Sequence, residues 1–210
     1  MMMLNVYRFG APAASPPTVA IVGPKWASSG AQSVTMPAGY VVGDLLLLVV
    51  QTSNESITAP SGWTEVGTYT GIGTVASGTA NSCGQQVFFK YAVASEPAAS
   101  LPAVTRHTQA VVLLIRGMAA SGAIGATASS ANTLSFTVTM PTITTTANSS
   151  LVLMIGTDAV DNGSTVRYSG WTCAGLSAIT EIVDYGTNVG IGKFGGIGIA
   201  SASKITAGAT

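Results

Sequence analysis

Nucleophilic catalysis in this sequence would depend on His107, because the chain has one histidine. A Ser-His-Asp arrangement needs an imidazole as its general base. His107 follows Arg106 directly and precedes an apolar run that begins at Val111. The sequence also lacks a Gly-x-Ser-x-Gly segment, the turn that exposes a nucleophilic serine in many hydrolases. We therefore interpret His107 as a surface or hydrogen-bonded residue at a strand border.

Metal-binding chemistry is also poorly represented. Cys83 and Cys173 lie about 90 residues apart, which matches no common zinc spacing. Asp158 and Asp161 resemble part of a calcium loop, but the other spaced acidic residues and the closing glutamate of such a loop are missing. Residues 161–163, Asp-Asn-Gly, are typical of a turn. We predict no metal and no cofactor, and we expect two reduced, mostly buried thiols, although the sequence leaves open a disulfide in an oxidising compartment.

Carboxylates are the third candidate chemistry, since glycoside hydrolysis uses a pair of acidic side chains. Asp44 precedes an apolar run, and we interpret it as a side-chain cap on a turn. Five other acidic residues stand singly in predicted loops or strands: Glu55, Glu65, Glu96, Glu181 and Asp184. Nothing in their spacing brings two together, so we predict that the protein is not an enzyme. A polysaccharide-degrading enzyme would require two carboxylates within about 10 Å of each other in a groove.

Two tryptophans occur in identical segments, because Trp63 and Trp171 each lie in Ser-Gly-Trp-Thr. A tryptophan after a glycine turn usually buries its large aromatic area in a core. The alternative is an exposed platform on which a sugar ring stacks. We favour the core interpretation and keep glycan binding by Trp63 or Trp171 as the alternative.

Charge is scarce in this chain. Charged residues make up 8% of the sequence, against about 25% in an average soluble domain, and the net charge is zero. Such a surface lacks the repulsion that keeps free proteins apart, which favours a subunit of an assembly. The eight basic residues are scattered and form no phosphate-binding stripe, so we predict no nucleic-acid binding. The longest apolar run, 45–50, is too short to cross a bilayer, and we expect neither membrane insertion nor an export signal.

Strand signals dominate the sequence. Residues 134–140 alternate apolar and polar side chains, the pattern of a strand with one buried face. Four continuous apolar runs predict central strands with both faces covered: 45–50, 87–89, 111–115 and 151–155. Further strands are predicted at 34–36, 180–185 and 197–202. No window of helical length has a 3.6-residue apolar stripe. The pattern predicts an all-β protein, a single jelly-roll-like β-sandwich of about ten strands.

Three blocks recur in the same order along the chain: Val-Thr-Met-Pro, an apolar strand and Ser-Gly-Trp-Thr. The first copies span 34–37, 43–50 and 61–64, and the second copies span 138–141, 149–155 and 169–172. This order predicts two pseudo-repeated halves, near 31–130 and 131–210, although chance similarity among short strand motifs is the alternative. Each half is too small to bury its strands alone, so we predict one sandwich over 31–210.

Residues 1–30 differ from the rest of the chain because they contain four prolines separated by small residues. We interpret them as an extended arm that anchors the sandwich on a neighbouring subunit. The predicted partner-binding residues are the apolar ones near its tip: Leu4, Val6, Tyr7 and Phe9. A frayed terminus and a first strand of the chain's own sheet are the alternatives.

Several motifs resemble a family of virion proteins from tailed bacteriophages. They are the Pro-x-Gly turn and Gly-Asp-Leu-Leu strand within 34–48, the Pro-x-Gly-Trp motif within 59–64, and the Phe-Lys-Tyr-Ala strand within 87–92, which Glu-Pro follows at 96–97. An aliphatic strand that ends in Arg-Gly and a second Gly-Trp also match, so the resemblance covers roughly residues 30–205. It implies a β-sandwich module of tail fibres, baseplates or head decorations and brings no catalytic residues. The short arm and early end favour a small accessory subunit over a complete fibre.

We therefore expect a non-catalytic virion structural subunit that decorates or cements the capsid or joins tail components. It would be assembled in the host cytoplasm and reside in the virion. The expected partners are other virion proteins and further copies of the chain, for which a trimer is one candidate. The alternative is a receptor-binding tail-fibre or baseplate module that binds host glycans; an exposed Trp63 or Trp171 would favour it, and burial would weaken it.

Overall fold

The computed structural model describes residues 2–7, 16–24, 26–28, 31–73, 82–104, 108–118, 124–131, 139–158, 168–186 and 195–210. These residues form strands and connecting turns, with no helix. The strands are β1 Met2–Tyr7, β2 Thr18–Val22, β3 Trp26–Ser28, β4 Gln32–Val34, β5 Leu45–Thr52, β6 Thr64–Glu65, β7 Thr70–Ile72, β8 Cys83–Tyr91, β9 Ala99–Leu101, β10 Thr108–Arg116, β11 Ile124–Ser129, β12 Thr144–Thr145, β13 Ser150–Asp158, β14 Ser177–Gly186, β15 Gly196–Lys204 and β16 Gly208–Ala209. The predicted all-β fold class is confirmed.

Two large antiparallel sheets form the body of the sandwich. One has five strands in the order β11-β1-β13-β15-β14. The other has seven strands in the order β2-β10-β5-β8-β6, in which β3 also pairs with β10 and β7 with β8. Two further pairs of short strands, β4-β9 and β12-β16, make two-stranded sheets.

The apolar runs are continuous because both faces of each central strand are covered. In β5, alternate residues from Leu45 to Val49 pack in the core between the two large sheets, where they meet residues of β1, β13 and β15. The intervening residues from Leu46 to Val50 pack in a second cluster with residues of β4 and β9. In β13, Leu153 faces the core between the sheets, whereas Met154 faces a third cluster that includes Ile143, just before β12. The short sheets therefore cover the outer faces of the large ones.

Strands β5 and β13, one from each large sheet, run in the same direction, and this defines the two ends of the sandwich. Gln51, near the end of β5, donates from Nε2 to the carbonyl oxygen of Asp158, the last residue of β13, at 3.3 Å. Cys83, the first residue of β8, lies with its Sγ 3.3 Å from Oγ1 of Thr157. The ends of β5 and β13 therefore meet at one end of the sandwich, and their beginnings lie at the other.

The interpretation of residues 1–30 as an arm docked on another subunit is wrong for most of the described part. Strand β1 lies inside the chain's own five-stranded sheet, paired with β13 over its whole length and with β11 on its other side. Met2, Met3 and Leu4 are buried in the chain's own core. Strands β2 and β3 pair with β10. An extended apolar segment can form the same backbone hydrogen bonds in its own sheet as in a neighbour's, and β1 forms them in its own sheet.

This pairing moves the sandwich boundary from residue 31 to residue 2, because β1 is a central strand. Of the predicted anchor residues, Leu4 lies in the core between the sheets. Val6 and Tyr7 belong to β1, with side chains outside the described part, and Phe9 lies outside the described residues. Deletion of residues 1–12 would therefore remove β1, a central strand of the five-stranded sheet, and should destabilise the sandwich itself.

The six predicted strands at 45–50, 87–89, 111–115, 151–155, 180–185 and 197–202 are confirmed as parts of β5, β8, β10, β13, β14 and β15. The strand predicted at 34–36 is displaced, because β4 spans Gln32–Val34 and shares only Val34 with it. The strand predicted at 134–140 lies largely outside the described residues. The described part has sixteen strands instead of about ten, because seven of them have only two or three residues. The jelly-roll connectivity and the repeated halves remain predictions.

Candidate docking surface

Four large apolar side chains are exposed in the described part of the chain, and all four lie at the beginning of β5 and β13. Val41 and Val42 precede β5 with exposures of 58% and 68%, and Val93 follows β8 with 53%. Ile205 follows β15, at the edge nearest the start of β13, with 72%. We call this end of the sandwich, at which Val41, Val42, Val93 and Ile205 are exposed, the valine end.

A tight turn presents the first two valines. The N–H of Asp44 donates to the carbonyl oxygen of Val41 at 3.1 Å, and the N–H of Val41 donates to Oδ2 of Asp44 at 2.9 Å. Gly43 has a φ of 89°, which a side chain would disfavour. The predicted capping role of Asp44 is thus confirmed. Nε of Arg116 donates to the same Oδ2 at 3.2 Å, so the cap is also an ion pair.

A second carboxylate holds the neighbouring turn in a similar way. The N–H of Val93 donates to Oε1 of Glu96 at 2.7 Å, and Nζ of Lys90 lies 2.6 Å from Oε2 of the same carboxylate. The N–H of Glu96 donates to the hydroxyl oxygen of Tyr40 at 2.7 Å, which ties this turn to the one before β5. A backbone bond from Gly43 to Ala92, 2.9 Å long, joins the two turns directly.

The charges near the valine end are therefore used within the protein. Asp44 pairs with Arg116 and Glu96 pairs with Lys90, and both carboxylates are largely buried. The large exposed side chains of these turns are valines, although Ser95 is also exposed and Arg116 is partly exposed. A rigid apolar surface of this kind loses little conformational entropy when a partner covers it. The valine end is not visible as a hydrophobic period in the sequence, because its valines lie in turns. The adjacent Val-Val before Gly-Asp is the signal that the sequence offers.

The two predicted tryptophan sites differ. Trp63 is 8% exposed and packs in the cluster outside the seven-stranded sheet, with Nζ of Lys90 5.8 Å from its ring centroid. Trp171 is only partly buried, against the outer face of the five-stranded sheet. Its ring stacks on Tyr168 with centroids 5.9 Å apart, and its Nε1 donates to Oε2 of the exposed Glu181 at 2.6 Å. Burial of Trp63 weakens its use as a glycan platform, whereas Trp171 keeps an accessible edge.

Of the other residues considered for chemistry, Cys83 and Asp158 lie near each other, since Gln51 donates both to Sγ of Cys83 and to the carbonyl oxygen of Asp158. Cys83 and Cys173 are both free thiols, Cys173 packs beside the cluster that contains Ile143, and Asp158 is the last residue of β13. Burial raises the pKa of the Cys83 thiol to about 11, against hydrogen bonds with Thr157 and Gln51 that lower it. His107 and Asp161 lie outside the described residues. Within the described part no three His, Cys, Asp or Glu side chains are grouped to hold a metal ion, and no helix could span a membrane.

Fold and surface together define this chain as an all-β sandwich protein with a preorganised apolar end. The chain matches no protein-family model, no curated protein and no solved structure.

Proposed function

We propose that the protein is a non-catalytic structural subunit of a tailed-bacteriophage virion, where it decorates or cements the capsid or joins tail components. The observation that carries the proposal is the valine end. Exposed valines on rigid turns, with nearby charges paired internally, suit a permanent contact with another virion protein better than a solvent-facing role. The uncharged composition and the motifs that resemble phage virion proteins support the same proposal.

The proposal assigns structural roles to the described carboxylates whose contacts are clearest. Asp44 and Glu96 cap turns, Glu181 accepts from Trp171, and Oδ2 of Asp184 accepts from the N–H of Tyr168 at 3.4 Å. Oε1 of Glu65 accepts from Gln86 at 3.0 Å. Side chains engaged in this way stabilise turns and strands and do not form a pair across a groove.

The test places a charge on the valine end without disturbing the fold. Val42→Asp changes a side chain that is 68% exposed, so the free energy of unfolding should change by less than about 0.5 kcal/mol. A buried, unpaired carboxylate at the contact should lower incorporation into particles at least about tenfold. Ser56→Asp is the matched control, because Ser56 is exposed near the opposite end and should incorporate normally. Normal incorporation of Val42→Asp would contradict the proposal.

A second candidate function rests on Trp171. Trp171, stacked on Tyr168 and bonded to the exposed Glu181, places an aromatic ring beside a polar group, the combination that small-ligand sites use. In this case the chain is a receptor-binding module of a tail fibre or baseplate. Binding to host-surface glycans that is lost in Trp171→Ala and kept in Val42→Asp would favour this function over the structural one.

A further inference from the structure

The end of the sandwich opposite the valine end is polar inside. Gln85, Gln51 and Gln109 stand side by side on β8, β5 and β10, in direct register across the three strands. Their alternation with Val87, Val49 and Val111 points them into the space between the two large sheets. Exposures of 3%, 0% and 0% show that all three amides are enclosed. We call this row the glutamine end.

The central amide of the row has protein partners. Nε2 of Gln51 donates to the carbonyl oxygens of Thr52 at 2.9 Å and Asp158 at 3.3 Å. The glycine at 195 makes room for it, because a Cβ there would lie 2.7 Å from Nε2 of Gln51. Gln51 thus links the seven-stranded sheet to the five-stranded sheet.

The two flanking amides are incompletely bonded. Oε1 of Gln85 accepts from the hydroxyl of Thr157 at 3.4 Å, whereas Nε2 of Gln85 and both amide atoms of Gln109 have no hydrogen-bond partner. Exchange of the oxygen and nitrogen positions would not remove the deficit, because Gln109 lacks partners at both atoms and Gln85 would then leave its oxygen unpaired. A buried amide without a partner costs about 1–3 kcal/mol, and native proteins rarely retain one.

We propose that the glutamine end is an internal water-binding site, in which ordered water molecules bind Gln109 at Nε2 and Oε1 and Gln85 at Nε2. The ligand should be neutral, because the groups that it would bond are the uncharged amides of Gln109 and Gln85, and the carboxylate of Asp158 lies beside Cys83 instead. It must be small, because the amides are enclosed. It must both donate and accept, because Gln109 presents both groups. Water meets all three requirements and commonly binds two to four such groups in protein interiors.

The first test is direct observation of the water. In a high-resolution crystal structure, density should appear about 2.7–3.2 Å from both amide atoms of Gln109 and from Nε2 of Gln85. In solution, the side-chain amide protons of Gln109 should show NMR cross-relaxation with long-lived water, and those of Gln51 should show much less. Dry density at both sites, or a Gln109 amide bonded to protein groups, would overturn the proposal.

The second test uses substitution by a side chain of similar length that forms no strong hydrogen bonds. If water completes the bonds of Gln109, Gln109→Met strands that water and should lower Tm by about 2–4 °C. If the amide is unpaired and dry, the same substitution removes a polar burial cost and should raise Tm, which would contradict the site. The cross-relaxation signal at Gln85 should persist in the Gln109→Met protein, which separates loss of one water from loss of the fold.

Discussion

The two Ser-Gly-Trp-Thr segments show how the same four residues reach different environments. In both, the glycine has a positive φ, 79° at Gly62 and 64° at Gly170, so the two segments share this glycine conformation. Trp63 is enclosed, whereas Trp171 is partly exposed. The difference comes from what covers the outer face of each sheet. The cluster that contains Trp63 has fourteen buried residues in the described part of the chain, and the cluster beside Trp171 has five.

The polar partners of the two tryptophans differ in the same direction. Under Trp63, Lys90 and Glu96 form an ion pair whose carboxylate side chain is fully enclosed. Beside Trp171, Glu181 accepts from the indole at the protein surface. The four-residue motif therefore fixes the conformation of its glycine, and the number of buried residues packed around each tryptophan determines how far its ring is exposed.

Truncation of the two tryptophan rings should give the largest difference in stability between the two Ser-Gly-Trp-Thr segments. Trp63→Ala opens a cavity in a fourteen-residue cluster and should lower the free energy of unfolding by about 3–5 kcal/mol. Trp171→Ala removes a partly exposed ring and should cost about 1–2 kcal/mol. Denaturant titration of both variants measures the two losses. Equal losses would contradict the difference in cover.

Neutralisation of the paired carboxylates gives the next largest effect. Glu96→Gln leaves the Lys90 ammonium, which is mostly buried, without its counter-charge and should cost about 3 kcal/mol. Glu181→Gln removes one charge from an exposed hydrogen bond and should cost at most about 1 kcal/mol. Thermal unfolding at low and high salt measures the loss of stability in each variant. A larger loss for Glu181→Gln than for Glu96→Gln would contradict the greater burial of the Lys90–Glu96 pair.

The two cysteines should differ in their reactivity toward thiol reagents. Cys173 directly follows the Ser-Gly-Trp-Thr segment of Trp171 and is only partly buried. Cys83 is enclosed, and burial raises its pKa to about 11. In the native protein at pH 8, one equivalent of a thiol reagent should react, at Cys173, and the second only after unfolding. Cys173→Ser should abolish the native reaction. Rapid modification of both cysteines without unfolding would contradict the enclosure of Cys83.

A further predicted effect is a loss of stability at alkaline pH. The pKa of Cys83 rises on folding from 9.0 to about 11, so the folded state keeps its proton where the unfolded state loses it. The associated stability is complete below pH 9 and decreases as the pH rises toward 11. Burial raises the pKa of Tyr69 from 10.0 to about 12, which acts with the same sign at higher pH. Cys83→Ala should flatten the first part of this decline in a pH series of denaturant titrations.

The sequence predicts the fold well where the pattern of apolar residues matches the pattern of burial in the structure. The continuous run from Leu45 to Val50 predicts a strand covered on both faces, and each of these side chains is buried. Asp44 was assignable as a cap because a carboxylate before an apolar strand has few other roles. Strand β1 was misassigned because its apolar residues pair equally well within one sheet or between subunits.

The sequence was least informative at the two ends of the sandwich. Gln51 continues the inward alternation of Leu47 and Val49, yet a polar residue at a strand end normally indicates solvent. The exposure of Val42 depends on a turn fixed by Asp44 and Arg116, and Arg116 is 72 residues further along the chain. Long-range contacts of this kind leave no local pattern.

Quantitative mass spectrometry of purified virions can decide whether the chain is a structural virion subunit. If the protein is a structural subunit, extensively washed particles should contain the chain at a fixed number of copies, and cryo-electron microscopy of them should place the valine end against another virion protein. Absence of the chain from washed particles, or density with the valine end facing solvent, would contradict the account.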